Sequence, residues 1–159
     1  YTHELVNTDK DRAGFKKLSE DFKAQKPYRI NLALYFKGKL VGWTWGWQDA
    51  PTVFYMCNSA VFKPHRRKNL YTALMNEMLL RLSKKGFSKI YSRHIITNND
   101  IIIAKMKRGF KITHFELSDT FGVMIHLSYF PQKIKNDILD FRSGLVRPDK
   151  KMKKIFNIK

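Results

Sequence analysis

Residues 53–86 constrain the fold of this chain more than any other stretch. Residues 53–62 are apolar and rich in β-forming side chains, and a Lys-Pro pair ends this predicted strand. Residues 70–83 predict a long helix, which two lysines and a glycine close. The strand therefore passes through a short basic turn directly into the helix. Since the first turn of a helix offers unpaired N–H groups and the positive end of its dipole, three basic residues before it predict an anion-binding cradle.

The remaining elements alternate between strands and helices around this unit. Period-two apolar patterns with tight turns predict strands, and apolar residues at helical spacing predict helices. The order of elements predicts a mixed α/β layer fold around one sheet. We expect helices at 11–25, 70–83, 99–108 and 131–144, and strands at 30–36, 39–47, 53–62, 89–97, 110–117 and 122–130.

The basic turn carries a recognisable motif, Val-Phe-Lys-Pro-His-Arg-Arg-Lys-Asn-Leu-Tyr-Thr-Ala-Leu at residues 61–74. It resembles the acyl-CoA loop of the GNAT superfamily, in which Arg or Gln is followed by two residues, Gly, any residue, and Gly or Ala. Arg66 matches that pattern, as does the strand valine five residues earlier, Val61. Asn69 stands at the first glycine position and tolerates left-handed backbone better than other non-glycine residues. Tyr71 stands at the second, where its side chain must point into the fold to leave room for the phosphates.

A second block supports the resemblance. After its next strand the family often has Asn, a tyrosine about seven residues on, and then Gly-Phe; here Asn98, Lys105 and the pair at 109–110 occupy these places. By resemblance, Asn98 contacts the cofactor arm, and Lys105 replaces the tyrosine that often acts as acid toward the leaving thiolate. The resemblance covers about residues 29–130. It implies a GNAT-like α/β (mixed α+β) domain with a central, mostly antiparallel sheet, a splayed strand pair and flanking helices.

The resemblance also implies a reaction: direct transfer of acetyl from acetyl-CoA to a primary amine through a tetrahedral intermediate. The strand at 55–61 would bulge and splay, which leaves a backbone N–H near Val61 to donate to the acetyl carbonyl. Ser59 and Ala60 would line the same channel. The full set expected to bind the cofactor is Ser59, Ala60, Val61, Arg66, Arg67, Lys68, Asn69, Leu70, Tyr71, Thr72 and Asn98.

The general base is less well defined by the sequence. Family members often place a carboxylate on the 55–61 strand, but this region reads Cys57-Asn58. His94 and Asp49 are the candidates for accepting the ammonium proton. The alternative for His94 is a hydrogen-bonded strand histidine, and for Asp49 a turn residue beside Ala-Pro. We expect Cys57 to be a small buried side chain rather than a nucleophile, and we expect no metal.

Three tryptophans, Trp43, Trp45 and Trp47, recur at period two and so share one face of a strand. We interpret them as core residues that pack against a helix; the alternative is the wall of an acceptor pocket. A stacking platform for nucleic acid requires basic residues between the aromatic ones, and no basic residue stands between these tryptophans.

Charge is the unusual bulk property, since 31 Lys and Arg against 13 Asp and Glu give +18. Such a charge favours a polyanionic partner, namely nucleic acid, an acidic protein surface or anionic lipid, although lysine-rich compositional drift is the alternative. An acidic acceptor, such as an acidic peptide or an aminoacyl-tRNA, fits this surface, whereas a polyamine fits poorly. The rival function is a GNAT-fold basic binding module for nucleic acid or another polyanion in which turnover is weakened.

Length and cysteine content complete the expectations. With 159 residues we expect one GNAT-like acetyltransferase domain at 1–146 and a basic C-terminal tail at 147–159, whose lysine-rich run at 150–154 stays mobile. The single cysteine favours a reducing compartment, and we expect a cytoplasmic protein. No apolar run approaches the ~20 residues needed to span a bilayer. The sequence leaves the oligomeric state open.

Overall fold

The structure is a computed structural model that describes residues 9–158, so the start of the expected 1–146 domain lies outside it. The helices are α1 Asp9–Lys23, α2 Leu70–Lys85, α3 Asn99–Met106, α4 Lys133–Arg142 and α5 Lys150–Phe156, with a 3-10 turn at Lys63–His65. The strands are β1 Arg29–Phe36, β2 Lys39–Ala50, β3 Val53–Val61, β4 Lys89–Ile95, β5 Lys111–Ser118 and β6 Gly122–Tyr129.

Within residues 9–158 the strands form one six-stranded sheet in the order β1-β2-β3-β4-β6-β5. All neighbouring strands are antiparallel except β3 and β4, which are parallel. Their pairing runs only from Val53 opposite Lys89 to Tyr55 opposite Tyr91, and beyond it the strands separate. These features confirm the predicted mixed α/β fold with a mostly antiparallel sheet, a splayed strand pair and flanking helices.

A β-bulge lies where the two strands separate. Trp45 of β2 pairs with Asn58, and the next residue, Gly46, pairs with Met56, so that Cys57 is the extra residue on β3. A bulge bends its strand and locally increases the twist. It therefore turns the second half of β3 away from β4, as the family resemblance implied.

Helices α1 and α2 cover one face of the sheet. Leu18 of α1 and Met78 of α2 are fully buried against Phe54, Ile90 and other strand residues in one apolar cluster. Helix α2 ends at Gly86, whose left-handed backbone (φ 101°) lets its N–H reach the Leu82 and Ser83 carbonyls. The predicted glycine stop is confirmed, and the core fixes α2 against the strands that splay.

The tryptophans lie on the opposite face, so the expectation that they pack in the core was wrong. The three indoles are half-buried, whereas Gln48 of the alternate set is 2% exposed and points into the core. The Gln48 amide donates to the Leu18 and Pro51 carbonyls and accepts a hydrogen bond from the Tyr28 N–H. These satisfied bonds explain how a polar side chain can occupy the helix-covered face.

The C-terminal end also differs from its expectation of a mobile basic run. Residues 150–156 form α5, which Asp149 caps by accepting a hydrogen bond from the Met152 N–H at 2.7 Å. Met152 and Ile155 are buried, and Ile155 joins Ile134 and Ile138 of α4 in a second apolar cluster. The two apolar residues spaced three apart between lysines give α5 a face to bury. The expected domain boundary near residue 146 stays a prediction.

Candidate functional site

The separation of β3 from β4 opens a cleft made of two adjoining cavities of about 200 and 430 Å³. Four side chains are common to both walls: Ser59, Tyr71, Asn98 and Ile101. The smaller cavity lies between the strands and is also lined by Met56, Cys57, Asn58, Arg93, His94 and Lys105. The larger leads to the basic turn and is also lined by Ala60, Val61, Arg66 and Asp100.

The basic turn reaches α2 through two left-handed residues, Arg67 (φ 60°) and Asn69 (φ 58°). Asn69 is the residue immediately before α2, and its conformation is the one that a glycine would adopt most easily. Arg66 donates from Nε to the Val61 carbonyl at 2.9 Å, which fixes its guanidinium beside the strand end. The turn thus adopts left-handed backbone at two positions, one of them the first glycine position of the motif, without a glycine at either.

The N-terminal end of α2 is open to an anion. Within the described chain the Asn69 side chain makes no capping hydrogen bond, and the first turn of α2 carries no acidic residue. Its N–H groups therefore lack the side-chain partner that usually satisfies them. Arg67 and Lys68 are exposed immediately before this end.

Among the residues expected to bind the cofactor, one group is brought together and another is not. The larger cavity has in its wall Ser59, Ala60, Val61, Arg66, Tyr71 and Asn98. The remaining expected residues stand on the turn and the first turn of α2 but do not line either cavity: Arg67, Lys68, Asn69, Leu70 and Thr72. Ser59 is held in place by a 2.7 Å hydrogen bond between its hydroxyl and that of Thr44.

Tyr71 points into the fold, as its position in the motif required. The ring packs against the main apolar cluster, and burial raises the pKa of its hydroxyl to about 12. The same side chain forms part of both cavity walls. Tyr71 therefore places a protonated hydroxyl and an aromatic ring at the junction of the two cavities.

Lys105 is 2% exposed and ends inside the smaller cavity. Its Nζ donates to Ser92 Oγ at 2.7 Å and lies 4.6 Å from the centroid of the Phe110 ring. Burial lowers the pKa of this ammonium to about 7. A lysine with such a pKa can exchange a proton near neutral pH, which an ordinary surface lysine cannot do.

His94 shares Ser92 with Lys105. Its Nε2 lies 2.9 Å from Ser92 Oγ, and the imidazole lines the smaller cavity. Burial and then the charge of Lys105 lower the pKa of His94 to about 3. His94 is thus a neutral, hydrogen-bonded imidazole in the cleft wall.

The structure does not bring Asp49 to the cleft. This exposed carboxylate follows the tryptophans on β2 and accepts a hydrogen bond from the Tyr91 hydroxyl at 2.8 Å. Tyr91 lies where β3 and β4 are still paired. Cys57 does line the smaller cavity, and burial raises the pKa of its thiol, which disfavours a reactive thiolate.

Sequence reasoning missed Arg93, which lines the smaller cavity, and Ser92, which is buried and holds His94 and Lys105 by hydrogen bonds. Ser92 stands two residues before His94 and so shares its face of β4, a period-two signal that could have found it. Arg93 leaves β4 on the face opposite to His94, although part of it still lines the cavity; its Nη1 donates to Glu116 Oε1 at 3.1 Å and its guanidinium lies 5.2 Å from the Tyr55 ring centroid. The Glu116 partner lies on β5, so no local signal pointed to this pair.

None of the helices within residues 9–158 is long and apolar enough to cross a membrane. The same part of the chain has no group of three or more His, Cys, Asp or Glu side chains arranged to hold a metal ion.

Solved structures share this architecture at low sequence identity. Ard1 from Thermoplasma volcanium is 19% identical, with 72% of this chain and 76% of that chain covered and a TM-score of 0.59. The ribosomal-protein-S18-alanine N-acetyltransferase from Escherichia coli is 15% identical, with 80% and 92% covered and a TM-score of 0.59. A GNAT family acetyltransferase from Elizabethkingia anophelis with acetyl-CoA bound is 14% identical, with 72% and 82% covered and a TM-score of 0.61. These likenesses show a shared fold.

No curated protein matches the chain. The model of the acetyltransferase (GNAT) family does match, over residues 2–110, which is more than half of the 159 residues. Together with the splayed strand pair and the loop before α2, this match shows that the chain belongs to the acetyltransferase (GNAT) family.

Proposed function

We propose that the protein is an N-acetyltransferase that moves acetyl from acetyl-CoA directly to a primary amine. The observation that carries this proposal is the cleft between β3 and β4, whose two cavities share four wall residues and reach Arg66 of the basic turn and Tyr71 of the first turn of α2. A thioester donor with a long arm and a pyrophosphate needs both parts, a channel for the arm and a cradle for the anion. The family match supports the same reading.

The chain's own groups suit an anionic pyrophosphate. Arg66, Arg67 and Lys68 supply positive charge, and the uncapped first turn of α2 supplies N–H donors. Asn69 accepts the left-handed backbone that the turn demands. We assign the arm of the donor to the cavity wall formed by Ser59, Ala60, Val61 and Asn98.

The donor supplies an activated thioester when it is bound. We assign the backbone N–H near Val61 as the donor that stabilises negative charge on the acetyl oxygen, because the second half of β3 has no partner strand on its β4 side within residues 9–158. Lys105 in its charged form is the acid for the leaving thiolate, since its pKa of about 7 lies near the working pH.

We assign the role of proton acceptor to His94 through Ser92 rather than to Asp49. His94 is neutral and in the cleft wall, whereas Asp49 is hydrogen-bonded to Tyr91 outside it. With a pKa of about 3, His94 holds the proton of the attacking amine only transiently and passes it through Ser92 to Lys105, which has given its own proton to the leaving thiolate, so that the protons balance. The +18 charge supports an acidic acceptor, such as an acidic peptide or an aminoacyl-tRNA.

The rival proposal is a basic binding module of the same fold with weakened turnover. It rests on the departures from the family motif at Asn69, Tyr71 and Lys105, and on the lack of a carboxylate on the 55–61 strand. Asn69 adopts the left-handed backbone, Tyr71 packs against the core, and Lys105 has a pKa near neutrality. These three observations favour the transferase, because each replacement keeps the geometry or the proton chemistry that its position needs.

A thermal melt with and without acetyl-CoA tests the proposal. A ligand that binds only the folded state must raise the melting temperature. We expect a rise in the wild-type protein that Arg66→Ala and Asn69→Glu lose, the first by removing charge and the second by placing a carboxylate at the cradle. Arg81→Ala is the matched control, because Arg81 is exposed further along α2 and pairs with Glu77. No rise in the wild type at saturating acetyl-CoA would contradict the transferase proposal.

A second assay separates the transferase from the binding module. Release of free CoA thiol is followed colorimetrically with an acidic peptide, an aminoacyl-tRNA and a polyamine as acceptors. The transferase predicts release with at least one primary amine, and faster release with the acidic acceptors than with the polyamine. Binding of acetyl-CoA without release for any of these amines would favour the weakened module.

A further inference from the structure

The tip of the β1–β2 hairpin packs against the basic turn that precedes α2. The rings of Phe36 and His65 lie 5.9 Å apart, and Phe62 meets Trp43 edge-on at 5.5 Å. The Phe62 N–H also donates to the Val41 carbonyl at 2.9 Å. Residues 35–40 and 62–68 therefore form one continuous surface, which we call the hairpin–turn surface.

The two segments of this surface contain no acidic residue of their own, although Asp100 shares a cavity wall with Arg66, one of their cations. No Asp or Glu occurs in residues 35–40 or 62–68, and Asp49 is the single acidic residue between Asp21 and Glu77. Every Lys and Arg of the surface is exposed: Lys37, Lys39, Lys63, Arg66, Arg67 and Lys68. These like charges repel one another, which lowers the stability of the fold by a modest amount. A bound polyanion would remove that repulsion.

Large aromatic rings stand exposed among these cations. Tyr35 is 65% exposed, Phe36 is 55% exposed and Phe62 is 43% exposed; Tyr35 and Phe36 are consecutive on the edge strand β1, so their rings project from its two faces. The Lys37 ammonium lies 5.6 Å from the centroid of the Phe36 ring. Cations alone suit any polyanion, but flat rings that alternate with them suit a polyanion that also carries flat bases.

We propose that the hairpin–turn surface binds single-stranded nucleic acid, with phosphates on the lysines and bases stacked on the exposed rings. The spacing of the tryptophans in the sequence could not predict this surface. Its rings and cations come from two segments that meet only in the folded chain, at the hairpin tip and the turn. The surface shares Arg66, Arg67 and Lys68 with the residues assigned to the acyl donor, but Tyr35, Phe36, Lys37, Lys39 and Lys63 are not among them. The proposal therefore does not depend on acetyl transfer, and it can be tested separately.

The test is fluorescence anisotropy of a short labelled oligouridine at several salt concentrations. The triple variant Lys37→Glu, Lys39→Glu, Lys63→Glu is compared with Lys150→Glu, Lys151→Glu, Lys154→Glu, which changes three exposed lysines of α5 and the net charge by the same amount. We expect the hairpin variant to bind about tenfold more weakly and to lose about two units of the slope of log affinity against log salt. The α5 variant should keep the wild-type slope.

The rings are tested by Tyr35→Ala with Phe36→Ala. Because stacking does not involve counterions, affinity should fall about tenfold while the salt slope stays unchanged. Melting temperatures of all variants, with and without acetyl-CoA, check that they fold and that the donor site is intact. Equal weakening by the two triple variants, wild-type binding by the ring variant, or equally tight binding of polyglutamate would each overturn the proposal.

Discussion

Lys105 Nζ donates a hydrogen bond to Ser92 Oγ at 2.7 Å, and the same oxygen lies 2.9 Å from Nε2 of His94. An ammonium has only donors, so the Ser92 hydroxyl accepts from Lys105 and has its own proton left for His94. The Ser92 oxygen has a second lone pair, so either tautomer of a neutral His94 satisfies the contact: the hydroxyl donates to an unprotonated Nε2 or accepts from a protonated one. Burial and then the charge of Lys105 keep this imidazole neutral, whichever ring nitrogen carries its proton.

The buried Lys105 predicts a pH dependence of stability. Its pKa falls from 10.5 to about 7 on folding, so between these values the unfolded chain binds more protons than the folded one. Stability therefore rises with pH across this window, by up to about 1.4 kcal/mol per pH unit. Lys105→Met should remove this rise, and urea unfolding at several pH values measures it. The exposed Lys107→Met is the control; curves for Lys105→Met and wild type that run parallel would contradict the assignment.

His94 predicts a second dependence on the acid side. Because its pKa drops from 6.5 to about 3 on folding, the unfolded chain takes up the additional proton as the pH falls through that interval. Stability conferred by the neutral imidazole is present above pH 6.5 and is lost toward pH 3. His94→Gln should therefore unfold at a lower pH, relative to its own stability at neutral pH, than wild type. Acid titration followed by circular dichroism tests this, with the exposed His114→Gln as control; equal acid sensitivity of both variants would refute it.

The sequence predicts most elements because their signals are local. Gly86 ends α2 as predicted, and Asn69 takes the left-handed turn because each needs only its own backbone preference. Periodicity also placed the tryptophans on one face, but it could not say which face. The tryptophans lie on the outer face because Gln48, on the opposite face of β2, points into the core, where its amide donates to the Leu18 carbonyl of α1. Periodicity groups side chains on one face of a strand, but which face the helices cover is known only once the tertiary partners are known.

The sequence predicted those site residues that belong to a spaced motif, and it did not predict the others. Val61, Arg66 and Asn98 come together because one strand, one turn and one helix start flank the splayed pair. Ser92 carries no motif, and its importance follows only from Lys105 reaching it across the fold. Asp49 looked eligible by residue type, yet the Tyr91 hydroxyl holds it outside the cleft. Residue type suggests which side chains could take part in catalysis, but only the tertiary packing decides which of them lie close together.

Tyr71 serves as packing as well as cleft wall. Tyr71→Phe keeps the ring, so the free energy of unfolding should change by less than about 1 kcal/mol. Tyr71→Ala removes a ring that packs against the core and should cost about 2 kcal/mol or more. Urea unfolding measures both, and the acetyl-CoA shift in melting temperature should survive in Tyr71→Phe. A Tyr71→Ala variant as stable as wild type would show that the ring is not packed.

Gly46 should be irreplaceable beside the bulge. A Cβ at this position would overlap the Tyr55 carbonyl oxygen and come within 2.7 Å of the Phe54 ring. Gly46→Ala must therefore push β2 away from β3, at a cost of about 3 kcal/mol or loss of folding. Gly38→Asn is the control, because Gly38 has a left-handed backbone but open space around its Cα, and Asn tolerates that backbone. Thermal unfolding distinguishes them; equal melting temperatures would refute the close approach of the two strands.

The C-terminal helix predicts a protected end of the chain. Ile155 is 5% exposed in the cluster with Ile134 and Ile138, so Ile155→Ala should cost about 2 kcal/mol of local stability. Asp149→Ala removes the helix cap and should cost about 1 kcal/mol of local stability, which adds to the cost of Ile155→Ala in the double variant. Limited proteolysis with a lysine-specific enzyme should then cut α5 faster in each variant, whereas Arg147→Gln, exposed just before the helix and not a site for this enzyme, should be cut no faster than wild type. Rapid cleavage at 150–154 in the wild-type protein would instead restore the mobile tail expected from the lysine run, because a packed helix must open before a protease can bind its backbone.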